Sequence, residues 1–280
     1  MARRHRFRNR FALIASLAAV ALSANASPAA GSVTIGQLGD LNAGNCDAGM
    51  DFVQLGTSSG NPYVVPGAGT ITSWTVRGAG DRGTLSIKIF RKLADPARFQ
   101  AIGHAGPQTR TPGGAAANTF PANIRVRPGD LLGLHTVTAT PCAFKDPGGL
   151  PAVLAGDLAD GAAAAFTPEA EFDLDVQAVF VPDNAFRLGN AKRNKKRGTA
   201  TLTVNVPNPG ELALSGKGVR TGAAKSIPAA GEADLLIKAK GKTGRKLKLT
   251  GQATVTPRIT YVTTGGNPST QSMALKLKRL

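Results

Sequence analysis

Apolar and polar residues alternate with a period of two through most of this chain, a spacing that puts consecutive side chains on opposite faces of a β-strand. In 84–90, Leu85, Ile87 and Ile89 share one face, and Thr84, Ser86 and Lys88 share the other. Runs of the same kind cover 71–77, 123–126, 131–137 and 172–181. Turn-forming stretches at 78–83, 111–114, 128–130 and 147–149 separate them, and 78–83 is expected to be a hairpin turn. The Ala-rich stretch 161–165 reads as a loop. Beyond 183 the alternation returns at 199–206, 211–215, 233–240, 246–250, 253–256, 258–262 and 273–278, with corners at 207–210 and 265–268. The pattern predicts an all-β chain: a jelly-roll-like β-sandwich over 27–183, then a smaller immunoglobulin-like sandwich over 184–280. The 34 glycines and 18 prolines agree with short strands and tight corners and leave little room for helices.

Charge divides the chain at nearly the same places. Residues 1–26 hold five arginines and no acid, residues 27–183 hold 10 basic against 14 acidic, and residues 184–280 hold 19 basic against 3 acidic. Arg3, Arg4, Arg6, Arg8 and Arg10 precede an uncharged run over 11–22, which ends in Ser23, Ala24, Asn25 and Ala26. That order predicts a secretory signal cut after Ala26, because the apolar run is shorter than the roughly 20 residues that span a bilayer. No later run approaches that length, so no integral membrane segment is expected after cleavage. The export route stays open. Cys46 and Cys142 are the only cysteines, and in an oxidising compartment an isolated pair predicts one disulfide. Closing a loop of about 100 residues removes on the order of 4–5 kcal/mol of denatured-state entropy.

Several segments carry a likeness. Thr34 to Gln37, Asp51 to Gln54, Tyr63 to Pro66, Ile71 to Trp74 and Arg127 to Leu134 resemble uncharacterised secreted β-sandwich ectodomains of soil actinobacteria. Asn194 to Ala200, Leu214 to Val219, Ile237 to Lys242 and Tyr261 to Gly266 resemble a Lys-rich immunoglobulin-like C-terminal module from the same organisms. The resemblance implies architecture and an extracellular address, and it carries over no functional site.

Motifs with chemical meaning fall in unsuitable surroundings. The nucleophile-elbow letters at 56–60 lead through Asn61 and Pro62 into another strand, so Ser58 reads as a loop serine. The dinucleotide-fingerprint letters at 78–83 precede a strand rather than a helix, and Gly241, Lys242 and Thr243 lack the upstream glycine of a phosphate loop. His104 and His135 are the only histidines after the leader, which excludes a histidine-rich metal site. His104 is placed in a loop and His135 on a strand. Glu171, Asp173 and Asp175 share one face of a predicted strand and are the carboxylate source for a hydrolase reading. The competing expectation puts them on a solvated face opposite Phe172, Leu174 and Val176. Asp157 and Asp160 are weighed as a calcium site without regular EF-hand spacing, and Trp74, the sole tryptophan, is placed in the core. No catalytic residue, metal or cofactor is assigned.

The second unit carries the stronger signal. Lys192, Arg193, Lys195, Lys196 and Arg197 open it, and Lys238, Lys240, Lys246, Lys248, Lys276 and Lys278 alternate with Ile237, Ala239, Leu247, Leu249, Leu275 and Leu277. Burying those lysines is prohibitive, so they belong on solvent faces. Glu211, Glu232 and Asp234 are too few to offset them, and such self-repulsion points to a regular counter-charge. The expected partners are anionic cell-wall or extracellular polymers, with a glycan or protein as a further ligand of the first unit. Phe186 and Tyr261 are the only aromatics of the basic unit, which argues against specific nucleic-acid binding by base stacking. The leading expectation is a secreted or envelope-associated, non-enzymatic protein. An extracellular polysaccharide hydrolase and a structural matrix protein are the alternatives.

Overall fold

The computed structural model describes residues 31–280 apart from 79, 81, 96, 114 and 115. The secretory signal expected at 1–26 lies outside the described residues. In chain order the first half contains β1 (Val33–Gln37), β2 (Asn45–Cys46), β3 (Met50–Gly56), β4 (Gly69–Arg77), β5 (Thr84–Lys92), β6 (Arg98–Thr109), β7 (Ala117–Val126) and β8 (Leu131–Thr136). It continues with β9 (Thr140–Pro141), β10 (Ala143–Lys145), β11 (Leu150–Ala155), β12 (Ala163–Ala165), β13 (Thr167–Pro168), β14 (Phe172–Leu174) and β15 (Val176–Pro182). The second half contains β16 (Arg187–Asn194), β17 (Thr199–Val206), β18 (Gly210–Lys217), β19 (Lys225–Ile227), β20 (Gly231–Lys238), α1 (Gly241–Thr250), β21 (Gln252–Thr263), β22 (Pro268–Ser272) and β23 (Leu275–Lys278).

The fold is all-β. In the first half a four-stranded sheet, β1-β15-β4-β7, packs on a seven-stranded sheet, β12-β6-β5-β8-β3-β11-β13. The alternation read from the sequence explains the core between them: Leu85, Ile87 and Ile89 of β5 meet Ile71, Trp74 and Val76 of β4, all essentially inaccessible. The opposite face of the seven-stranded sheet is also covered. Val53, Phe90, Phe99 and Leu131 form a second core with Phe166, so the chain after β11 folds back over that face. Cys46 and Cys142 form the disulfide, with Cα atoms 5.8 Å apart. It ties β2 to the segment just after β9, where those two strands already pair.

In the second half, β16-β17-β20 form one sheet and β19-β18-β21-β22, with β23 also on β21, form the other. Their core includes Leu202, Val204, Ile237, Val255, Ile259 and Tyr261. Among the described residues no strand of one half pairs with a strand of the other. The halves are joined by Asn208, only 2% exposed, whose amide donates to Ala68 O (2.9 Å) and Asp183 O (2.8 Å) and accepts from Ala68 N (2.7 Å). Tyr261 Oη donates to Asn208 O at 2.7 Å and steadies the same loop.

Three local readings need correction. Residues 246–250 are not a strand: they belong to α1, because five alternating residues fit either period and the chain here must cross from β20 in one sheet to β21 in the other. The helix stops at Gly251, whose φ of 67° is the left-handed conformation that costs glycine nothing. The connection at 78–83 is not a hairpin turn, since β4 and β5 lie in different sheets. Ala163–Ala165 is a short edge strand on β6 rather than loop, and the basic cluster at 192–197 is partly strand β16 and partly the turn into β17.

Candidate functional site

Most cations of the second sandwich gather toward one of its poles, while Arg187, opposite Asn205, and Lys225, opposite Leu212, lie toward the other. Strand register fixes which pole. β17 runs from Thr199, opposite Lys238, to Val206, opposite Gly231, and Asn208 comes two residues after Val206, so the Val206 end abuts the first sandwich. The Thr199 end lies about 25 Å away, at roughly 3.3 Å per residue over eight residues. That distal end collects the 195–197 turn, Lys238, Lys240, α1 and β23. The Arg193 guanidinium donates to Lys276 O (2.8 Å), Leu280 N to Lys195 O (3.1 Å), Arg279 N to Gly251 O (2.7 Å), and Lys240 N to Gly218 O (2.8 Å). These bonds fix four chain segments as one cap. Lys192, Arg193, Lys195, Lys196, Arg197, Lys238, Lys240, Lys246, Lys248, Lys276 and Lys278 are all exposed there.

The three acids of this sandwich sit elsewhere. Glu211 faces Val262 and Glu232 faces Asn205, both near the docked end, and Asp234 lies midway, accepting from Thr203 Oγ1 at 2.8 Å. Among the described residues no cation of this sandwich forms a salt bridge. Phe186 and Tyr261 are buried, 5.9 Å apart, so neither offers the cap a stacking surface. The facing expected from alternation holds for Ile237, Leu275 and Leu277, which are buried. It fails for Leu249, which is 85% exposed, because the helix turns it about 200° from the buried Leu247.

The carboxylates of the first sandwich do not form the acidic face that the sequence suggested. Asp173 and Asp175 are buried, whereas Glu171 is exposed, so the three do not line one cleft and the solvated-face expectation is also wrong. Backbone and amide donors explain the burial. Asp175 accepts from Gly39 N (3.0 Å) and Arg77 N (2.6 Å), and Asp173 from Gln54 Nε2 (2.7 Å) and Gln37 Nε2 (3.1 Å). Burial first, and then the neighbouring Asp146, push the Asp173 carboxyl up to about 7. Asp146 is held down at about 2, chiefly by the Ser58 N–H, which donates at 2.8 Å. Ser58 is thus an exposed turn residue whose backbone caps an acid.

A second charged cluster was invisible in the sequence. Lys88 and His135 lie on the covered face of the seven-stranded sheet with Asp51, all buried. Lys88 Nζ donates to both Asp51 oxygens (3.0 and 2.8 Å), to Asp157 Oδ1 (2.6 Å) and to Leu158 O (2.7 Å), while His135 Nδ1 pairs with Asp51 Oδ1 at 2.8 Å. Asp51, His135 and Asp157 offer atoms within 4.8 Å of one another, a metal-like grouping. The Lys88 ammonium already sits among these oxygens, and its charge opposes a further cation there. Asp157 and Asp160 do not converge as the calcium reading required. Asp157 goes to Lys88, which holds its carboxyl below the usual range, and Asp160 pairs with His104 at 3.0 Å. His104 lies on β6 rather than in a loop. The alternation on β5 did place Lys88 opposite Ile87 and Ile89; only the returning segment at 156–166 shows that this face is covered.

One apolar cleft of about 230 Å³ opens beside the disulfide, between Cys46, Met50, Phe52 and Phe172, with Asp47 and Glu169 exposed at its rim. No described helix is long and apolar enough to cross a membrane.

No family model matches the chain, and no curated protein matches it. A solved β-D-glucuronidase from Dictyoglomus thermophilum is similar at 11% identity with a TM-score of 0.21, over 87% of this chain and 43% of the other. The chain therefore spans less than half the length of that structure.

Proposed function

We propose that this is a secreted or envelope-associated, non-enzymatic protein that adheres to anionic cell-wall or extracellular polymers through the cationic cap of its second sandwich. The first sandwich is held away from the surface for display or ligand binding, with the cleft beside Cys46 as the place where a glycan or protein ligand enters. One observation carries the reading: eleven exposed lysines and arginines are collected toward the pole about 25 Å from the inter-sandwich contact, only Arg187 and Lys225 lie near that contact, and the three acids are kept off the distal pole. Random solubilising lysines would not sort along the strand axis in this way. Lysine predominance favours diffuse attraction over the bidentate readout that arginine gives.

The test is retention of the whole protein on purified cell walls. Retention is expected in dilute buffer, with release as salt approaches about 1 M, where screening shortens to about 3 Å. Reversing Lys195, Lys196 and Arg197 to glutamate should weaken retention strongly. Binding indifferent to both changes overturns the proposal. Concentration-dependent self-association without wall binding would establish the matrix alternative instead.

A further inference from the structure

The helical winding of α1 builds a surface that an anionic polymer alone does not require. Successive helical residues turn by about 100°, so Leu249 stands on the side opposite the buried Leu247. Arg245 and Lys242, four and seven residues earlier, flank Leu249 on the same outward strip, with Lys246 and Lys248 on either shoulder; all four cations are exposed. Leu280 is 90% exposed, and its backbone N–H is fixed to Lys195 O within the same cap. A single exposed leucine is ordinary. Here the two most exposed large hydrophobic side chains among the described residues both protrude from the most cationic surface, and no other such side chain exceeds 52%.

We propose that the cap also docks on anionic phospholipid bilayers, with Leu249 and Leu280 entering the headgroup layer while Lys242, Arg245, Lys246 and Lys248 lie against the lipid phosphates. This rests on the cap being the adhesive surface. Charge complementarity selects the partner: exposed cations near an anionic leaflet gain attraction one by one, and apolar side chains between them gain only where there is hydrocarbon to enter. A hydrated polymer offers the charge without the hydrocarbon.

Sedimentation with vesicles of phosphatidylcholine, with and without phosphatidylglycerol, tests this, using the protein from Ser27 onward so that the apolar leader contributes nothing. Binding is expected only to the vesicles containing phosphatidylglycerol. The variant Leu249→Ser with Leu280→Ser removes two exposed side chains, so it keeps the fold, which an unchanged calorimetric unfolding transition of the second sandwich verifies. It should bind these vesicles roughly tenfold more weakly and cell walls unchanged. Lys242→Glu with Arg245→Glu should weaken both. Vesicle binding that ignores the leucine changes overturns the proposal, as does wall binding without any vesicle binding, and in both cases polymer adhesion stands. Failure to bind either surface overturns polymer adhesion as well.

Discussion

Replacing Lys88 by methionine isolates the energetic role of the buried charge cluster. Methionine keeps an unbranched stem of similar length against Phe90, so the loss is mainly that of the cation. The Lys88 side chain is 2% exposed and that of Asp51 is 0% exposed, so water cannot replace the two contacts to Asp51, whereas Asp157, 67% exposed, is rehydrated when Lys88 is lost. Asp51 would keep only His135 and the Leu158 N–H, the latter at 2.9 Å. Leaving one member of a buried pair uncompensated costs about 3–5 kcal/mol. Trp74 is the sole tryptophan and is buried in the first sandwich, so its fluorescence follows that unit whatever the second sandwich does. In a urea titration at pH 7 the midpoint of Lys88→Met should fall by about 2 M, taking a slope of roughly 2 kcal/mol per molar. Adding Asp51→Asn should recover part of that fall, because the stranded charge is gone. A shift under about 0.5 M, or no recovery in the double variant, would refute the account of Lys88 as the counter-charge that holds the covering segment down.

Two further outcomes are expected from the structure. Folded Asp173 keeps its proton up to about pH 7, whereas an unfolded aspartate releases it near 3.9. Between those values the native state holds the extra proton, so stability falls as pH rises, by on the order of 4 kcal/mol at most over the window. Asp146 acts oppositely: held at about 2 when folded, it contributes stability above its unfolded value that is lost as pH falls through about 2. Asp173→Asn should therefore abolish the drop in the Trp74-monitored urea midpoint between pH 5 and pH 8, and a variant that drops in parallel with wild type contradicts the assignment. Asn208→Ala leaves the Ala68 N–H and C=O and the Asp183 C=O without their amide partner, at about 1–3 kcal/mol. The loss falls on the contact between the sandwiches, so calorimetry should show their unfolding transitions moving apart, and an unchanged thermogram would show that Asn208 does not couple them.

Alternation along the backbone determined much of this protein before any coordinates. β17 spans Thr199–Val206 as expected, β5 contains 84–90 with Leu85, Ile87 and Ile89 inward, Trp74 is core, and Cys46 meets Cys142. These properties depend on local periodicity, and on the chemistry of a lone cysteine pair. The accumulation of cations after residue 184 was equally legible, since charge can be counted without a fold.

Tertiary structure alone decided what covers each face and which ends meet. Asp173, Asp175 and Lys88 look like solvent-facing residues of strands, yet each is buried because a distant segment supplies its partner: Gln54 and Gln37 for Asp173, Gly39 and Arg77 for Asp175, Asp51 and Asp157 for Lys88. The Lys-Leu alternation at 246–249 fits a strand until the chain has to pass between sheets, and the helix that makes the crossing turns Leu249 outward among cations. Even the cap exists only through antiparallel register, which brings residues 195, 240 and 276 to one end. Period and charge are local and therefore written in sequence, whereas burial and polarity along a sandwich axis arise from contacts between residues far apart in the chain.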